Sequence, residues 1–262
     1  MKKIGFIGCG NMGGALARAA VKSVGAESIF VTDTDLQKVK AFSEETDVNI
    51  ADAEYIVLNC DYIFLGVKPQ MLKGLFEKLA PVIEERTTDF VLVSMAAGVS
   101  LASLNAMAQV DCPIIRIMPN MPVSVGEGMI LYTSNEFVSK EDLDGFVDTM
   151  KYAGRLDKID AASCVSGCGP AFVFMFCEAL ADGAVECGLP RDKALLYAAQ
   201  TLIGSAEMLI KTGEHPGKLK DAVCSPAGST IEGVKALENG AFRASAMDAV
   251  RKAYERTLEL GK

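Results

Sequence analysis

The sequence predicts an α/β fold in two parts, a parallel-sheet half followed by an all-helical half. Three observations carry that expectation. Short apolar runs alternate with amphipathic stretches up to about residue 160. The first run leads into Gly8, Gly10 and Gly13 of IGFIGCGNMG, a glycine pattern that opens a helix. Beyond residue 160 the strand signal stops, and only helical periodicity and small-residue segments remain.

Each glycine of the opening turn has its own task. Gly8 permits the tight reversal from strand to helix, Gly10 lets backbone approach a pyrophosphate, and Gly13 allows the helix to pack closely on the strand. Lys3 to Ile7 is the expected buried strand and Met12 to Val24 the helix. The free N–H groups and positive dipole end of that helix, around Asn11 and Met12, suit phosphate oxygens. These features define an N-terminal Rossmann dinucleotide-binding domain.

Ser28 to Thr32 reads as the second strand and Leu36 to Phe42 as the second helix, with Asp33 between them, twenty residues beyond Gly13. Asp33 either accepts hydrogen bonds from the adenosine ribose or caps the following helix. A carboxylate there repels a 2′-phosphate: unit charges about 4 Å apart repel by roughly 1 kcal/mol in water and about 4 kcal/mol at a protein surface. Asp33 therefore leans the cofactor towards NADH over NADPH, with Lys38 and Lys40 near enough to soften the penalty.

Tyr62 to Val67 and Phe90 to Met95 are unbroken apolar runs, as buried parallel strands require. They lead into Val67, Lys68 and Pro69, and into Ala96, Ala97 and Gly98. Ligands of open α/β sheets lie outside the carboxyl ends of strands, so both loops are candidate cofactor contacts, although Pro69 also suits a plain helix start. Pro113 to Ile117 is a further strand, and the MPNMP turn after it offers the Asn120 amide. Met129 to Tyr132 and Arg155 to Ile159 finish the sheet, with Lys140 to Lys151 helical between them.

The predicted domains are thus 1–159 and an all-helical dimerisation domain, 160–262. Its expected helices are Phe172 to Cys187, Lys193 to Ile210, Ser229 to Glu238 and Ala244 to Leu260. Phe172, Phe174, Met175, Phe176, Met208 and Leu209 supply more apolar surface than one inward stripe holds, which points to a subunit interface.

Composition narrows the function classes. Half the residues are hydrophobic and 23% are charged, the balance of a globular enzyme. A net charge of −8, from 26 basic and 34 acidic residues, argues against nucleic acid or an anionic membrane as partner. Eight cysteines without a C-x-x-C pair, beside one histidine, read as buried reduced thiols with no metal site. The MKK start resembles an export signal, but Gly8, Gly10 and Asn11 interrupt the apolar run, so a cytoplasmic protein is expected. Pro170 to Cys177, the richest apolar stretch, ends at Glu178 and reads as too short to span a membrane.

The stretch HPGKLKDAVCSPAGSTIEG, from His215 to Gly233, is the most informative of the second half. Ser229 and Glu232 fit a capping box, and Gly228 frees backbone at a helix start that equally suits a small carboxylate. His215 sits in a proline-glycine turn, where starting a helix is its expected role. Together with IGFIGCGNMG, VKP at 67–69, AAG at 96–98, MPN at 118–120, SGCGPAF at 166–172 and GLPR at 188–191, this stretch makes the chain resemble pyrroline-5-carboxylate reductases over essentially its whole length. Cys168 and Phe172 stand where many members have Ser and Tyr, and Ala227 where many have Gly.

The resemblance implies NAD(P)H-dependent reduction of the cyclic imine 1-pyrroline-5-carboxylate to L-proline, the last step of proline biosynthesis, with an active site completed across a dimer. It further implies that Gly228, Ser229 and Thr230, with Ser225 nearby, hold the substrate carboxylate, and that the Thr230 hydroxyl faces the ring nitrogen. Solvent can protonate an imine before hydride arrives, so positioning suffices where a ketone needs a general acid. A β-hydroxyacid dehydrogenase shares the two-part layout but needs a lysine facing the substrate, and Lys193, Lys211, Lys218 and Lys220 all lie near turns or helix ends. Another imine reductase and a non-catalytic nucleotide sensor are the remaining alternatives.

Overall fold

The computed structural model describes residues 2–157 and 163–260. In chain order the elements begin β1 (Ile4–Ile7), α1 (Asn11–Val24), β2 (Ile29–Thr32), α2 (Leu36–Thr46), β3 (Asn49–Ile50) and α3 (Ala53–Asn59). There follow β4 (Tyr62–Leu65), α4 (Pro69–Glu85), β5 (Val91–Ser94), α5 (Leu101–Ala108), β6 (Ile114–Met118), β7 (Gly128–Ser134), α6 (Lys140–Met150) and β8 (Gly154–Asp157). The remainder is helical: α7 (Ser163–Ser166), α8 (Gly169–Glu186), α9 (Arg191–Thr212), α10 (Pro216–Ala222), α11 (Ser229–Asn239) and α12 (Phe242–Leu260). The fold is the expected α/β class with a helical second part.

One sheet runs in the order β3-β2-β1-β4-β5-β6-β7-β8. β1 to β6 are mutually parallel, β7 is antiparallel to β6, and β8 is parallel to β7. The parallel strands read as continuous apolar runs because both faces are covered. Phe6, Phe64, Val93 and Ile115 pack with Leu16 and Phe146 in one cluster, while Ile63, Leu65 and Leu92 pack with Leu72, Phe76 and Leu104 in another. Phe6 and Phe64 stack with ring centres 4.5 Å apart. β7 reverses because only the short turn holding Met121–Val125 separates it from β6, too little chain for a parallel crossover.

Register positions the loops. Ile7 lies opposite Thr32 and Leu65, Leu65 opposite Ser94, and Ser94 opposite Arg116. The segments after β1, β2, β4, β5 and β6 therefore leave the sheet along a single edge. The expected strands over Tyr62 to Val67 and Phe90 to Met95 end earlier, at Leu65 and Ser94, which puts Val67 in a loop. β3, α3, α5 and α10 are short and are not among the expected elements; of α4 only the start at Pro69 is expected, although its helical apolar stripe runs to Ile83.

The chain divides into two compact units, Met1–Gly167 with Tyr254–Lys262, and Cys168–Ala253. The boundary expected at residues 159 and 160 falls outside the described residues, as does the end of the strand expected to Ile159. Within Cys168–Ala253 the buried hydrophobic side chains are the alanines Ala181, Ala194 and Ala198. Phe174, Met175, Leu196 and Met247 are instead 59%, 69%, 62% and 72% exposed. Of the thiols expected to be buried, Cys187 is exposed and Cys168, Cys177 and Cys224 are half-buried, because the helices that carry or adjoin them leave most of their surface open. The apolar stretch read as ending at Glu178 continues: among the described residues Cys164–Glu186 is one helix long and apolar enough, by composition, to cross a membrane. Its surface is mostly exposed, as is that of the helices around it.

Candidate functional site

The opening turn is built by glycine-on-glycine contact. Gly8 has φ +106°, and a Cβ there would lie 2.6 Å from the Gly66 carbonyl oxygen. A Cβ on Gly13 would lie 2.1 Å from the Gly8 carbonyl oxygen, and one on Gly66 2.5 Å from the same atom. Gly66 is thus a third member of the packing that sequence reading missed; its only signal was a glycine directly after the apolar β4 run. At Gly10 the result is opposite, since a Cβ would meet nothing within 4 Å. Gly10 is the N-cap of α1 without any side-chain cap, which leaves the first-turn N–H groups at Asn11, Met12 and Gly13 open. An open, uncapped helix start beside a glycine with free space in front of it suits a dinucleotide pyrophosphate.

Asp33 does not cap α2. That task belongs to Asp35, whose carboxylate accepts from the backbone N–H groups of Gln37 and Lys38 at 3.2 Å. Asp33 instead accepts the Cys9 N–H at 2.8 Å through Oδ2 and the Asp35 N–H at 3.2 Å through Oδ1. Burial works to raise its carboxyl pKa, but the N–H groups of Asp35 and Cys9, then the Thr34 hydroxyl and the Lys38 charge, hold it below the ordinary value. Burial, with the Asp33 charge second, pushes the Cys9 thiol up to about 11. Cys9, Gly10, Asn11, Arg18, Lys38, Ala41, Phe42 and Glu45 line a cleft of about 250 Å³ beside the turn. Arg18 is spent on Glu45, which it meets through two hydrogen bonds at 2.9 and 2.6 Å.

Along the same sheet edge, Lys68 is the N-cap of α4 and Pro69 its first residue, so the helix-start reading of Pro69 holds. Ala96, Ala97 and Gly98 form a turn closed by the Val99 N–H on the Ala96 carbonyl, with φ +77° at Gly98. Asn120 lies on this edge too, but its amide is engaged within the protein. Oδ1 accepts the Met129 N–H at 2.8 Å, and Nδ2 donates to the Ser166 carbonyl at 2.9 Å.

In the second unit His215 starts α10, its Nδ1 accepting the Gly217 N–H at 3.1 Å. The segment Ser225-Pro226-Ala227-Gly228 is a tight turn with the Gly228 N–H on the Ser225 carbonyl at 3.0 Å and φ +57° at Ala227. A Cβ on Gly228 would lie 2.3 Å from the Ser225 hydroxyl oxygen. The turn therefore places the Ser225 hydroxyl against the start of α11, where Ser229 and Thr230 are the first two residues. The capping box expected of Ser229 and Glu232 is absent: Gly228 is the N-cap, no side chain caps it, and Glu232 reaches Lys235 instead. Ser229 already lies inside the helix, so its side chain is one position too late to cap. The competition expected between a cap and a carboxylate for these N–H groups does not arise.

The chain is similar to known proteins over its whole length. Residues 3–98 match the profile described as NADP oxidoreductase coenzyme F420-dependent, and residues 157–260 the profile for pyrroline-5-carboxylate reductase dimerisation. The pyrroline-5-carboxylate reductase of Escherichia coli is 41% identical over 269 residues, covering 100% of this chain and 99% of its own. The structure of a pyrroline-5-carboxylate reductase from Coxiella burnetii superposes with a TM-score of 0.91 at 31% identity, covering 100% of this chain and 99% of its own. That of the Plasmodium falciparum pyrroline carboxylate reductase with NADP bound gives 0.86 at 31% identity, covering 100% and 98%. The two-part fold, the nicotinamide-cofactor site and the self-associating second part all follow from one relationship: this chain belongs to the pyrroline-5-carboxylate reductase family.

Proposed function

We propose that the chain reduces 1-pyrroline-5-carboxylate to L-proline with NADH or NADPH, as the closing step of proline biosynthesis, working as a self-associated cytoplasmic enzyme. The observation that carries this reading is the register that gathers the glycine turn, Asp33, Val67 to Pro69, Ala96 to Gly98 and Asn120 on one sheet edge. Relatives across the whole chain length carry the reductase name. Gly8, Gly10, Asn11, Met12 and Gly13 hold the pyrophosphate, and Asp33 faces the adenosine ribose, favouring NADH. Val67, Lys68, Pro69, Ala96, Ala97, Gly98 and the Asn120 region border the rest of the dinucleotide. The first-turn N–H groups of Ser229 and Thr230 face the substrate carboxylate, with Gly228 as the uncapped start of α11 and Ser225 beside them. The Thr230 hydroxyl hydrogen-bonds the ring nitrogen. A bound reduced nicotinamide would supply hydride to the C=N carbon of the N-protonated imine. Orientation by these residues is the main catalytic contribution.

The test is the loss of nicotinamide absorbance when the purified chain meets pyrroline-5-carboxylate with either cofactor. Absence of consumption with both sinks the assignment, and a strong preference for NADPH sinks the electrostatic reading of Asp33. Thr230→Ala is expected to lower kcat by roughly tenfold or more with the fold intact, and unchanged kinetics at saturating substrate and cofactor would reject its role.

A further inference from the structure

We infer that Asp33 is a positioning residue for the phosphate-binding turn, in addition to its ribose-side role; this rests on the dinucleotide reading of the cleft. Cys9 lies between the two glycines that shape the turn, and its backbone N–H is held by the Asp33 carboxylate at 2.8 Å across 24 residues of sequence. The Cys9 thiol donates to the Thr32 carbonyl at 3.5 Å, and the Gly8 N–H donates to the same oxygen at 2.8 Å. The end of β2 and Asp33 thereby fix the peptides on either side of Gly8, together with the buried Cys9 side chain. With that N–H taken, the turn presents Gly10 and the open first turn of α1 to solvent, where a Cβ on Gly10 would meet nothing. The second carboxylate oxygen holds the Asp35 N–H at 3.2 Å and the Thr34 hydroxyl at 3.3 Å, tying the start of α2 to the same group.

Both carboxylate oxygens are thus in use before any ribose arrives. A residue that only selects between cofactors would be exchangeable for a neutral one, with NADPH gaining what NADH loses. A strut is not exchangeable in this way. Serine is too short to reach the Cys9 N–H, so Asp33→Ser loses the turn along with the charge. Asparagine keeps one acceptor and preserves the bond to Cys9.

The experiment is titration of NADH and NADPH on the full chain by the cofactor's own emission, free of interference because the protein has no Trp. It is paired with amide hydrogen exchange at Cys9 without cofactor. Asp33→Ser is expected to raise Kd for both nucleotides by about fivefold or more and to speed Cys9 exchange. Asp33→Asn is expected to keep NADH affinity within about threefold and Cys9 protected. Tighter NADPH binding by Asp33→Ser overturns the inference, as does unchanged affinity for both nucleotides. So does loss of Cys9 protection in Asp33→Asn, which decides the matter if the serine variant fails to fold. Failure of the unsubstituted chain to bind either nucleotide would instead sink the dinucleotide reading beneath it.

Discussion

At the scale of single residues, the glycines of one motif have separable duties. A methyl group on Gly13 would press 2.1 Å from the Gly8 carbonyl oxygen, a clash with backbone that cannot swing away. Gly13→Ala is expected to destabilise the fold by roughly 1–3 kcal/mol, read from chemical denaturation. Gly10→Ala has open space around it and should leave the denaturation midpoint unchanged. Its cofactor affinity should fall by roughly tenfold or more, since the methyl group occupies the pyrophosphate's approach. Ala227 is a non-glycine residue in the left-handed region, at the turn that starts α11. Its φ of +57° costs an L-residue about 1–2 kcal/mol, partly offset by the entropy that a glycine would lose. Ala227→Gly should raise stability by up to about 1 kcal/mol, and a lowered melting temperature would contradict the turn geometry.

Among the elements, helix starts show how similar local patterns diverge. Ser139 with Asp142 forms a true capping box at α6, the Ser139 hydroxyl accepting the Asp142 N–H and the Asp142 carboxylate the Ser139 N–H. Ser229 with Glu232 has the same spacing and forms none, because the turn at Ser225 to Gly228 starts α11 one residue earlier. Spacing alone cannot distinguish these, since the entry direction of the chain is fixed by the preceding turn. At α2 the acid that caps is Asp35, and Asp35→Ala should cost about 1 kcal/mol in unfolding free energy with little effect on cofactor binding. A loss of nucleotide affinity matching that of Asp33→Ser would show that the two acids do not divide the work.

For the whole molecule, the two units differ in how they bury apolar surface. The sheet unit encloses large side chains such as Phe6, Phe64 and Phe146 at 0% exposure, whereas unit Cys168–Ala253 buries only alanines among its hydrophobic side chains. Helices that leave Phe174 and Met175 more than half exposed are incomplete alone, in keeping with the dimerisation profile over residues 157–260. Replacing both residues by Asp should shift the chain to monomers in size-exclusion chromatography with light scattering. It should also lower the melting temperature and remove that temperature's dependence on protein concentration. Retention of the assembled state would place the interface on another face.

The sequence by itself determined what is local: the glycine turn, the apolar strands, the long helices of the second part, and a segment from His215 to Gly233 specific enough to indicate the family. Those features lie within a turn or two of chain, where residue type and spacing carry the information. Tertiary structure decided everything that joins distant segments. It set the register that lines five loops along one edge, the reversal of β7, and the packing of Gly66 against Gly8. It also spent the Asn120 amide on Met129 and Ser166, and gave the Asp33 carboxylate to the Cys9 N–H. A hydrogen bond between residues 24 apart leaves no mark in spacing, because only the folded sheet brings the ends of β1 and β2 together.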